Sequence, residues 1–118
     1  PEIIPSLIDR LEGIEQIQKG YNLILAGIPA AVRKTGETQL QTFIEAVQYD
    51  RPMIDYRKLL GEYAAVSATA AALGVRMLQQ KGDTNPWGAD LSGSDSQPTG
   101  ILLLGLGSFV TAVELVRP

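Results

Sequence analysis

The stretch from Leu59 to Leu78, LLGEYAAVSATAAALGVRML, constrains this chain more than any other. Small residues recur in it at intervals of four: Ala64, Ala68 and Ala72 in one row, Ser67 and Ala71 in a second, Ala70 and Gly74 in a third. Such rows let a helix approach a neighbour closely, so that dispersion holds the pair. Alanine is also the strongest helix former, and the same residues suit a close-packed bundle in water. The uncharged run inside the stretch, Tyr63 to Val75, holds about 13 residues. A bilayer span needs roughly 20. Both readings, soluble bundle and membrane hairpin, remain open on the residues alone.

The rest of the chain is read around that helix. Ser6 offers an N-cap, and Leu7, Leu11, Ile14, Ile17, Tyr21, Leu25 and Ile28 follow at helical spacing, which predicts an amphipathic helix over 6–32. Thr38 and Gln41 form a capping box for a second helix over 38–50, with Leu40, Phe43, Ile44 and Val47 on its apolar side. Pro52 is placed to open a third helix over 52–81. Residues 82–99 are rich in Gly, Ser, Asp, Asn and Pro and read as a long acidic loop, followed by an apolar helix over 100–116. The expected fold is therefore all-α, one domain of about four helices.

Composition narrows the function. A net charge of −3 and a pI near 4.8 exclude nucleic acid, which requires a clustered basic face. The chain has neither cysteine nor histidine, which removes disulfides, thiolate metal sites and the commonest general base. Ser67, Ser108 and Thr111 have no basic partner to activate them. Asp50, Asp55 and Glu62 lie beside Arg51, Arg57 and Lys58 and read as salt-bridged surface. Asp83, Asp90 and Asp95 do not have the spacing of a calcium loop. Gly105-Leu106-Gly107 reads as helix packing, since no strand is expected before it. No enzyme, metal or cofactor is predicted, and a bound pigment or lipid is left open.

Binding is the remaining expectation. Tyr49, Tyr56 and Tyr63 recur every seven residues and would form one stripe if the break at Pro52 is mild. Tyrosine is enriched in binding hot spots. With Ala64, Ala68, Ala71 and Gly74 they would make a continuous docking surface for the protein subunits of a larger complex. Trp87, alone in its loop, would anchor to the chain's own surface or a partner's. A mean hydropathy of +0.06 and the apolar 100–116 segment add a membrane contact to the expected partners.

Two pieces, Leu11 to Tyr21 (LEGIEQIQKGY) and Tyr49 to Tyr63 (YDRPMIDYRKLLGEY), resemble the helix-forming segments of small photosystem-associated proteins, the PsbQ-like extrinsic subunits. The resemblance implies a helical bundle docked on photosystem II, an accessory subunit of a photosynthetic membrane complex, and a place at the thylakoid membrane or in its lumen. It carries over no functional residue. The alternative is a helical adaptor or assembly protein, such as a phage structural component, cytoplasmic and self-associating through the alanine-rich helix.

Overall fold

The computed structural model describes residues 3–62, 65–79 and 100–116. Its core is a four-stranded sheet in the order β2-β1-β3-β4. The strands are β1 (Leu23–Gly27), β2 (Met53–Asp55), β3 (Gly100–Gly105) and β4 (Thr111–Val116). β1 runs parallel to β2 and to β3, with Leu25 opposite Ile54 on one side and Leu103 on the other. β4 returns antiparallel along β3, so that Leu103 faces Val113. Five helices flank the sheet: α1 (Ile3–Arg10), α2 (Ile14–Gly20), α3 (Arg33–Val47), α4 (Tyr56–Leu60) and α5 (Val66–Gln79).

The sheet has a core on each face. Ile24, Ala26, Leu102 and Leu104 point to one, where they meet Leu7, Ile17, Phe43 and Val47 from α1, α2 and α3. Leu25, Ile54, Ile101 and Leu103 point to the other, against Tyr56, Val66, Ala70 and Met77 from α4 and α5. This arrangement follows from connection geometry. The β1-to-β2 crossover runs outward through α3, and the β2-to-β3 crossover runs back past β1 through α5. Crossovers of one hand travelling in opposite directions lie on opposite faces, as these do.

The all-α expectation is thus overturned, and with it the helical bundle that the photosystem resemblance implied. The fold is α/β. The predicted helix over 6–32 is two short helices followed by β1, separated at Glu12 and Gly13, both with positive φ. The predicted helix over 52–81 opens as β2 and α4 and becomes α5 at Val66. The predicted apolar helix over 100–116 is a β-hairpin, β3 and β4. The reason is common to all three. A strand covered on both faces is apolar at every position, and a continuous apolar run has no period to separate it from a buried helix. β1 is buried at all five positions and β3 at its first five.

The second predicted helix, 38–50, starts earlier and stops sooner, at Arg33 and Val47. Gly36 lies inside α3, where a methyl group would come within 2.3 Å of Ile28 Cγ2. α3 ends where Gln48 turns left-handed and the Tyr49 amide donates back to the Ile44 carbonyl at 3.2 Å.

Candidate functional site

Open parallel sheets bind ligands in the crevice beyond the carboxyl ends of their strands, where neighbouring chains leave in opposite directions. Here that place lies between β1 and β3, and the chain itself fills it. The Leu106 amide donates to the Gly27 carbonyl at 2.9 Å, extending the ladder past Gly105. Gly107, at φ +116°, then presses on the turn after β1. A methyl group there would sit 2.5 Å from Val32 Cγ2. The Gln39 amide closes the contact from α3: its Nε2 donates to the Gly107 carbonyl at 3.1 Å, and its Oε1 accepts the Gly107 amide at 2.8 Å.

The end of β2 is likewise occupied by internal contacts. Asp55 accepts from Arg33 at 2.5 Å and caps α4 by accepting the Lys58 amide. Arg57 pairs with Glu62, although its Nε is buried with no hydrogen-bond partner among the described residues. Beneath them the Tyr56 ring packs against Gly27 of β1. A methyl group on Gly27 would fall 2.0 Å from the Tyr56 hydroxyl oxygen. Burial raises the Tyr56 hydroxyl above its ordinary pKa, and neighbouring Arg57 partly offsets this. Among the described residues no group of three or more carboxylates is placed to hold a metal ion.

Open space lies elsewhere, between α1 and β4. Two shallow depressions meet at Arg10. One, of about 400 Å³, is lined by Ile3, Ser6, Arg10, Ser108, Phe109 and Val110. The other, of about 220 Å³, lies between Leu7, Arg10 and Leu11 of the α1 side and Ala112 and Glu114 of β4. Tyr21 stands behind the second. Its pKa is raised, first by burial and then by the neighbouring Glu114 carboxylate. Tyr49 donates in turn to the Tyr21 carbonyl at 3.2 Å.

β4 forms the rim of this groove and, among the described residues, is paired on one side only, with β3. Val113 is 49% exposed, Val116 61% and Phe109, in the turn before β4, 84%. An unpaired edge presents a row of free amides and carbonyls, and proteins usually blunt it with lysine, proline, a bulge or brevity. The other edge, β2, has three residues; β4 has six, with Glu114 its sole charge. Arg10 forms no ion pair among the described residues, in contrast to Arg33 and Arg57.

The residues singled out from the sequence do not gather into one surface. Tyr49 belongs to the core on the α3 face and Tyr56 to the core on the α5 face, so the sheet separates them. Gly74 is buried against the sheet, where a methyl group would meet Leu115 at 2.8 Å, and Ala71 is half-buried. Ala68 is exposed. Tyr63, Ala64 and Trp87 lie outside the described residues, as do Asp83, Asp90 and Asp95. Asp55 and Glu62 are ion-paired, with Arg33 and Arg57. Phe109, Val113, Glu114 and Val116 were not singled out from the sequence. Their signal was a short run rich in β-branched residues, TAVELV, following Gly107-Ser108, which suits a strand after a turn.

Among the described residues no helix is long and apolar enough to cross a membrane. No family model, curated protein or solved structure matches the chain.

Proposed function

We propose that this domain is a non-enzymatic interaction unit of a larger assembly, docking a protein partner along β4. The observation that carries the reading is the outer side of that strand, six residues long, unpaired among the described residues and exposing Val113 and Val116, beside the groove under α1. Backbone pairing along an edge supplies affinity, and pockets beside the edge supply selectivity for alternate side chains. The filled crevice at the carboxyl ends of β1 and β3 supports the same reading, because the fold's usual small-molecule site is taken by Gly107 and Gln39.

This moves the docking surface from the alanine-rich helix to the sheet edge. Gly74 and Ala70 use their smallness to bring α5 onto the sheet and have no contact left to offer. The chain in its own cells is expected to migrate as part of a larger particle on native electrophoresis. Val113→Lys should release it to its own mass, whereas Ala68→Leu, on the exposed side of α5, should leave the particle intact. Migration at its own mass without any substitution, or release by Ala68→Leu and not by Val113→Lys, would overturn the proposal.

A further inference from the structure

The partner that β4 fits best is itself. We infer that two copies of this chain pair antiparallel through β4, centred on Val113 opposite Val113 of the second copy, to make one continuous eight-stranded sheet. The inference rests on the reading of β4 as a docking edge and deepens it by naming the occupant.

Register is the first argument. A two-fold axis normal to the sheet keeps each face on its own side, so opposed residues must point the same way. Ala112, Glu114 and Val116 share the α1 face, through their registers with Leu104, Leu102 and Gly100. Thr111, Val113 and Leu115 share the α5 face. Only registers centred on a residue satisfy this condition. Within Thr111–Val116, centring on Val113 or on Glu114 pairs the most residues. Centring on Glu114 sets two carboxylates directly opposite each other, which is destabilising. Centring on Val113 sets Glu114 opposite Ala112 and Thr111 opposite Leu115.

Complementarity is the second argument. Ala112 lines the smaller depression together with Arg10. In the Val113 register the second copy's Glu114 arrives there, beside the one arginine of this groove, which has no ion pair among the described residues. The second copy's Val116 arrives opposite Val110, in the larger depression next to exposed Phe109. Symmetry makes both contacts twice. One register thus covers the free edge, pairs the free cation and fills both depressions with side chains that are exposed in the single chain.

Sedimentation equilibrium of the purified chain, with Arg10→Glu, Glu114→Arg and the double variant, tests this. The chain should sediment at twice its 12.7 kDa mass. Each single exchange opposes like charges across the seam and should weaken dimerisation at least tenfold. The double exchange restores opposite charges and should bring the constant back to within a few-fold. Because Arg10 and Glu114 of one chain line the same depression, an equimolar mixture of the two single variants is run beside it. The mixture restores opposite charges between copies but not within either chain and should recover the dimer likewise. Circular dichroism confirms that each variant is folded. A monomer at all concentrations, or a dimer indifferent to the single exchanges, overturns the inference. If the purified chain is monomeric while Val113→Lys still releases it from a native particle, self-pairing fails and the docking edge stands. If neither holds, both fail.

Discussion

The Glu114 carboxylate on β4 lies close enough to the Tyr21 hydroxyl to raise its pKa, which sets the loop before β1 beside the outermost strand on the face covered by α1. Tyr21 is itself held by Tyr49, whose hydroxyl reaches the Tyr21 carbonyl. Both belong to the core on which Ala112 of β4 packs, under a strand that has a neighbour on one side only among the described residues. An edge that serves as a docking rail has to keep its shape while unoccupied, and the buried tyrosines supply that stiffness.

The same tyrosines set a pH limit on the fold. Tyr21, Tyr49 and Tyr56 are all raised above the ordinary value of 10.0, with burial the largest cause in each. A group whose folded pKa is raised contributes its stability fully below the unfolded pKa and loses it as pH rises toward the folded one. Stability should therefore be insensitive to these groups below pH 10.0 and fall above it, by about 1.4 kcal/mol per pH unit for each tyrosine. Urea unfolding from pH 8 to 11.5, with tyrosinate absorbance recorded in parallel, checks this. Three of the four tyrosines should ionise only as the protein unfolds.

Gly27 is required by Tyr56. With the hydroxyl oxygen 2.0 Å from where a methyl group would stand, Gly27→Ala displaces the ring from the α4–β1 contact. A cost of about 2–3 kcal/mol is expected from overpacking. In the double variant with Tyr56→Ala the clash disappears, so the two costs should fall short of additive by 1 kcal/mol or more, on the order seen for touching residues. Additivity in chemical denaturation would show that the two do not meet.

Asp55 has two roles that substitution separates. One oxygen pairs with Arg33 and the other accepts the Lys58 amide at the start of α4. Asp55→Asn keeps an acceptor for the cap and loses the charge pair, at about 1 kcal/mol for a partly exposed pair. Asp55→Ala loses both, and a missing cap adds about 1 kcal/mol. Equal melting temperatures for the two variants would contradict the capping role.

Gln39 should matter more than a half-buried glutamine on a helix ordinarily does. It satisfies both backbone groups of Gly107 where the β3–β4 turn meets Val32. Gln39→Ala strips both and should cost about 1–3 kcal/mol. Hydrogen exchange should show the loss locally, as faster exchange at Gly107 with little change at Leu102.

How far the sequence could be read is clearest at three places. In α3, Phe43 and Val47 alternate with exposed Glu45 and Ala46, so period and burial agree and the apolar face is legible. In β1 and β3 every side chain has a covered face to point to, so LILAG and ILLLG carry no period and pass for helix. The alanine rows of α5 are the third case. They do mark close approach, but Gly74 approaches Leu25, Ile101 and Leu115 of the chain's own sheet. Small residues report that something comes near without saying what. The edge strand was legible only in the β-branched residues of TAVELV, which were absorbed into a longer apolar run.

The most direct measurement of the central claim places a photo-crosslinking side chain at Val113, and as a control at Glu45 on the exposed side of α3, in the full chain expressed in its own cells. The account predicts a discrete adduct from position 113, at twice the chain mass, and none from position 45. Equal labelling at both positions, or no adduct from 113, would contradict it.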